Sequence, residues 1–259
     1  MRPLIAAAAA LLTLGAAHAA EPDSRSWDDL LSRRVTMAAD GVARVDYAGW
    51  KASAADRAAL DAYINSLELT PVSTLPRDAQ FAVWANLYNA ATVRVILARH
   101  PVRSIRDIRS EGAGLNPKAL IGPWLTKVVT VEGRRLSLDE IENAILRVQF
   151  KDPRLHYALN CASIGCPNLM ARAWRASTLE ADLDAAARLY VNHPRGVTVA
   201  ANGLRLSSIY DWYASDFGNT AQLRAHLLRF ATSDLATRIR ATNRIAGYDY
   251  DWTLNANGR

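Results

Sequence analysis

The sequence predicts an α+β fold: a helix-rich single domain with short antiparallel hairpins. Three observations carry this. Apolar residues recur at helical spacing along most of the chain, and many of these stretches have their own start or stop signal. Two stretches read as tight hairpins: VVTV, a Glu132-Gly133 turn and Arg134–Leu136; then VTVA, an Asn202-Gly203 turn and LRL. No strand–helix–strand rhythm runs through the chain, which argues against a parallel α/β sheet.

Taken in order, the chain opens with Arg2, an apolar run from Leu4 to Leu14 and the small-x-small site Ala17-His18-Ala19. This pattern predicts a secretory signal peptide over residues 1–19, with 20–259 as the mature domain. The apolar run falls short of the roughly 18 residues a membrane span needs. Ser26 is placed to cap a helix carrying Trp27, Leu30, Leu31 and Val35, ended by Gly41. Val42–Trp50 reads as extended. Ser53 opens a second helix with Leu60, Ile64 and Leu67 on one face. The strongest helix runs from Arg77 to His100 and stops at Pro101. Its apolar surface is wide enough for burial on more than one side. Asn86 and Asn89 interrupt that surface, and a buried amide needs partners, in backbone or in a polar site.

Arg103–Pro123 is loop-rich. Ser137-Leu138-Asp139-Glu140 and Ser177-Thr178-Leu179-Glu180 each have capping-box spacing. Short helices are expected over 208–215, 221–230 and 233–241, and an extended tail over 245–254.

Half of the residues are hydrophobic and seven are tryptophan, which excludes a disordered chain. The net charge of +6 suits solubility and weak attraction to anionic surfaces. Arg94, Arg99, Arg103, Arg106 and Arg109 crowd one region, read as a solvated face and not as a nucleic-acid site. No later stretch reads as a membrane span. No phosphate-cradling glycine loop, dinucleotide fingerprint or zincin helix is present, and one cysteine pair without a second pair does not make a zinc site. No cofactor or metal is therefore expected.

The chemistry concentrates in Asp152–Leu169, DPRLHYALNCASIGCPNL, which holds both cysteines. Leu155, Tyr157 and Leu159 alternate with His156, Ala158 and Asn160, the pattern of a strand. In an exported protein Cys161 and Cys166 are most simply a disulfide. The sharper alternative makes Cys161 a nucleophile. His156 would be its base, oriented by Asn160, Asn86 or Asn89, and the chain would have to bend at Asn160 to bring thiol and imidazole together. His193, His226 and His100 are the other histidines the fold could supply.

At these residues the chain resembles the domain of unknown function 547 family. The matching pieces are FAVWANLYNAATVRVIL, SLDEIENAILR, DPRLHYALNCASIGCPNL, LSSIYDWYASDFG and YDWTLN. They span about Asp78 to Leu254. The resemblance implies a site at Asn86, Tyr88, Asn89, Arg154, His156, Asn160, Cys161, Cys166 and Pro167. One departure is Asn143, where members of the family often carry histidine after the Ile-Glu pair. The Asn-Cys-x-Ser run is also similar, over four letters, to the nucleophile loop of papain-like enzymes, which would make the fold papain-like.

The expectation is thus an exported periplasmic or secreted protein of the cell envelope, acting on a small molecule or envelope substrate. Cys161, His156 and Asn160 would form the catalytic centre of a hydrolase or acyl transferase, with Asn86, Tyr88, Asn89, Arg154 and Cys166 around it. The alternative is a non-enzymatic binding or assembly domain stapled by a Cys161–Cys166 bridge.

Overall fold

The computed structural model describes residues 21–111 and 122–258. The signal-peptide reading, and the part of the loop-rich stretch at 112–121, lie outside them. The fold is α+β, with helices around small sheets.

Helix α1 (Arg25–Arg34) buries Trp27, Leu30 and Leu31. Its N-cap is Ser24, two residues before Ser26, and the Ser24 hydroxyl does not cap the helix but meets Tyr63 at 3.2 Å in the interior. It also stops before Gly41. Val35–Met37 is a strand, β1, paired antiparallel with β2 (Ala43–Val45). Gly41, at φ +77°, closes the turn between them instead of ending the helix. The second half of the expected extended piece is helix α2 (Tyr47–Ala52), because the Asp46 side chain accepts the Gly49 N–H and caps it. Helix α3 (Ala54–Glu68) has the expected Ser53 cap and buried Leu60, Ile64 and Leu67.

Helix α4 (Arg77–Arg99) is the centre of the larger core. Every residue from Phe81 to Val93 is buried. By length and composition α4 could cross a membrane, but here α2, α3 and the helical segment after Ser137 cover it. Strands β3 (Lys127–Val131) and β4 (Arg134–Ser137) form the expected hairpin. Glu132 and Gly133, at φ +48° and +76°, make its turn. The Ser137 capping box forms, with Glu140 N–H on Ser137 Oγ and Ser137 N–H on Glu140 Oε2. The segment it opens is a π-helical turn, Glu140–Leu146, closed by the Arg147 N–H on the Glu142 carbonyl. It runs on into α5 (Arg147–Phe150).

The stretch read as a strand is instead one turn of helix, α6 (Leu155–Ala158). Asp152 accepts the Arg154 N–H, and Pro153 presets the turn. Alternation misled because it needs a wet side, and every residue from Arg154 to Asn160 is buried. Leu155, Ala158 and Leu159 join the larger core, while Tyr157 joins a second, smaller one.

That second core lies under α7 (Leu179–Val191) and the hairpin β5 (Val197–Ala200) and β6 (Gly203–Ser207). It is completed by α8 (Ile209–Trp212), α9 (Ala214–Phe217), α10 (Thr220–Phe230) and α11 (Ser233–Arg240). The second capping box does not form. Thr178 Oγ1 donates to Asp182 instead, and Glu180 turns to Arg154. The tail supplies β7 (Ile245–Asp249), which pairs parallel to β6, so antiparallel hairpins are not the whole of the sheet structure. Helices α8 to α11 provide the long crossover that a parallel pair requires.

His226 gives the smaller core a pH response. It packs against Phe217 and Phe230, and burial pushes its imidazole down to about 4. Unfolded, a histidine holds its proton up to about 6.5. The unfolded chain therefore binds more protons between these values, and stability is lost as pH falls through that window. Urea unfolding at pH 7 and pH 5 should differ by about 1–2 kcal/mol, and His226→Phe should remove most of that difference.

Candidate functional site

The two cores meet at a cleft of about 360 Å³. Its wall includes Tyr88 from α4, Glu142 and Asn143 from the π-helical turn, His156 from α6, both cysteines, and Trp212 and Tyr213. Tyr250, Trp252 and Trp124 complete it.

The tail brings the last aromatic groups there by lying against the cysteine loop. Ile164 N–H donates to the Thr253 carbonyl and Gly165 N–H to the Asp251 carbonyl, each at 2.8 Å. Asn255 N–H returns to the Ala162 carbonyl at 3.1 Å. The approach at Gly165 leaves no room for a side chain, since a Cβ there would stand 2.9 Å from Asp251 N. Stitched in this way, Tyr250 and Trp252 stand with ring centroids 4.6 Å apart and 4.7 and 5.4 Å from Trp212, and the Tyr250 hydroxyl reaches the cysteines.

Cys161 and Cys166 stand at disulfide distance, with Cα atoms 6.2 Å apart, and the structure joins them. Cys166 is buried, and Cys161 is partly exposed. The Cys161 N–H and the Tyr250 hydroxyl donate to Cys166 Sγ at 2.9 and 3.0 Å. Ala162 turns the loop at φ +62°, a left-handed conformation unusual for a residue with a Cβ. Cys161 therefore lies in a turn and does not open a helix.

The asparagines hold backbone. Asn160 Nδ2 donates to the Pro167 carbonyl and its Oδ1 accepts the Ala162 N–H, closing the turn on itself. Asn89 donates to the Ala158 carbonyl at 2.9 Å and accepts the Asn160 N–H at 2.8 Å. Asn86 makes the same two-ended grip on Trp174. None of the three lines the cleft or touches an imidazole. Arg154 is also placed away from it. Nine-tenths buried, it ties α6 to α7 through Asp152, Asp184 and Glu180, and these carboxylates hold its guanidinium well above its usual pKa.

Tyr88, His156, Cys161, Cys166 and Pro167 are the sequence-expected residues that meet at the cleft. His156, however, is engaged by carboxylates and not by the thiol. Its Nε2 lies 2.7 Å from Asp216 Oδ2, and its Nδ1 lies 3.7 Å from Glu142 Oε1. Its ring stacks on Tyr213 at 3.9 Å. Asp216 is gripped from the other side by Arg147, through Nε at 2.6 Å and Nη2 at 2.7 Å. Burial alone would raise the Asp216 carboxyl, but hydrogen bonds from His156 and Arg147 outweigh it and hold the group well below the usual range. Arg147 also reaches Asn143, which donates to Asp139, so residues 139, 143 and 147 form a polar row at i, i+4 spacing. Asn143, the departure noted in the sequence, thus binds within this row. Burial, then the nearby Glu142 charge, pushes the Tyr88 and Tyr213 hydroxyls well above their ordinary pKa.

The other three histidines among the described residues sit elsewhere. His100 packs by Tyr47, His193 meets the Asp40 carbonyl, and His226 meets Tyr157. Sequence reasoning missed Glu142, Asp216, Arg147, Tyr250 and the three tryptophans of the wall. The available signal was that most of these lie in motifs already noticed, SLDEIENAILR, LSSIYDWYASDFG and YDWTLN. Among the described residues no group of three or more histidine, cysteine or acidic side chains is placed to hold a metal ion.

Residues 72–191, just under half of the chain, match the family model described as protein of unknown function, DUF547. This supports the family resemblance read from the motifs. No curated protein and no solved structure matches the chain.

Because Asn89 holds backbone on both sides of Leu159, Asn89→Ala leaves a buried carbonyl and a buried N–H without partners. The variant should lose about 1–3 kcal/mol of stability, read as a lowered urea midpoint at unchanged slope. A loss of only a few tenths would show that the grip is not needed.

Proposed function

We propose that this is an exported cell-envelope protein that binds a small organic ligand in the aromatic cleft, with the Cys161–Cys166 bridge as a fixed part of the wall. The observation that carries this reading is the cleft itself: concave, lined by aromatic rings, with few polar groups converging on it. The bridge leaves the site without a free thiol, and both polar ends of His156 face carboxylates. An exported compartment favours the oxidised pair, and the bridge in turn suits export. The N-terminal pattern of charge, apolar run and Ala17-His18-Ala19 supports the periplasmic or secreted location.

A second reading, the cysteine-dependent hydrolase or acyl transferase, is favoured by one observation: Cys161 and His156 line the same cleft. It requires the bridge to be reduced and the imidazole to reach the freed thiolate. It also leaves the roles of Asn160, Asn86 and Asn89 as positioning through backbone, since none of them touches His156.

Thiol titration of unreduced protein in denaturant separates the two. No free thiol is expected, and Cys161→Ser should melt earlier yet still bind ligand. Two free thiols, with Cys161 alkylated quickly at neutral pH and slowed by His156→Ala, would replace the binding reading with the enzyme. For the location, the mass of the exported form should correspond to a chain beginning at Ala20 or within a residue or two of it. An intact Met1 in the membrane fraction would overturn export as a cleaved protein.

A further inference from the structure

We infer that the ligand of the cleft carries an organic ammonium group, held against aromatic faces and the Glu142 carboxylate; this rests on the reading of the cleft as a binding site. The chain as a whole is basic, with a net charge of +6. The cleft has the opposite sign. Among the described residues its charged wall groups are Glu142 and Asp139, with no lysine or arginine. His156, also in the described wall, lies between Asp216 and Glu142.

Glu142 is the second, independent observation. It is about nine-tenths buried, and the Tyr88 and Tyr213 hydroxyls donate to its carboxylate, but among the described residues no cationic group stands within hydrogen-bond reach of it. Its nearest ionic partner, His156 Nδ1, stands at 3.7 Å, beyond hydrogen-bond reach. A carboxylate in that state is costly unless a positive group completes it. The π-helical turn holds it at the cleft, and such turns recur at functional sites.

The rings supply the rest. A cation over an aromatic face is attracted by the ring quadrupole, and more strongly where water is excluded. Two rings of this wall already carry cations from outside the cleft: Arg106 lies 5.2 Å over Trp252 and Arg147 lies 5.0 Å over Tyr213. Trp212 is 47 % exposed, which is unusual for so large an apolar side chain and leaves it open to a ligand. A neutral sugar could also stack on tryptophan, but it would leave the Glu142 charge uncompensated.

The test compares choline with its neutral carbon isostere, 3,3-dimethylbutan-1-ol, and with n-butylammonium and N-acetylglucosamine. Binding is read by tryptophan fluorescence and calorimetry on the intact, oxidised mature protein. At least one of the two cations should bind about ten-fold or more tightly than the isostere, and the better of the two tells whether the site prefers a quaternary or a primary ammonium. Glu142→Gln should remove that preference while leaving isostere binding nearly unchanged. The comparison in the unaltered protein stands even if the variant fails to fold. Equal binding of choline, n-butylammonium and the isostere, or binding of N-acetylglucosamine alone, would overturn the cation assignment and keep the cleft. No binding of any of the four would overturn the cleft reading as well.

Discussion

The two-ended amide of Asn89 fixes where everything else at the cleft can point. It is set in the most deeply buried part of α4 and holds one carbonyl and one N–H on either side of Leu159. That grip sets the exit from the single turn of α6 and the entry to the cysteine loop. His156 lies just before it and Cys161 just after it. An asparagine in a buried helix surface has a poor propensity and a high desolvation cost, and here both ends of the amide are satisfied by otherwise unpaired backbone.

Two charged networks then carry the load between the cores. Arg154 gathers three carboxylates from its own turn and from α7. Asp216, on α9, receives Arg147 from α5 and His156 from α6. In each case a buried charge is tolerable because several partners share its desolvation, and removing one partner costs more than the pair is worth. The networks join helices far apart in sequence, and the cleft lies where those helices meet.

Much of the secondary structure was legible in advance, for stated reasons. The long apolar run of α4, the Ser53 cap and the Glu132-Gly133 turn are local signals, and the structure follows them. Signals that depended on an assumed exposed side failed. Leu155-His156-Tyr157 alternates, but both sides are buried, so period two meant nothing. Gly41 turns a hairpin and does not end a helix, because Val35 and Thr36, β-branched, found a partner strand in Ala43–Val45.

By itself the sequence determined the residue chemistry available: one cysteine pair at bridging separation, a buried histidine beside it, two asparagines inside an apolar helix, and aromatic motifs near the C-terminus. Which of these meet was decided by tertiary structure alone. The tail folds back along the cysteine loop through hydrogen bonds between residues about 90 positions apart, placing Tyr250 and Trp252 in the wall. Asp216 reaches His156 across a separation of 60 residues. Such pairings leave no local periodicity to read, because what selects them is the joint burial of charges and rings that only the packed chain brings together.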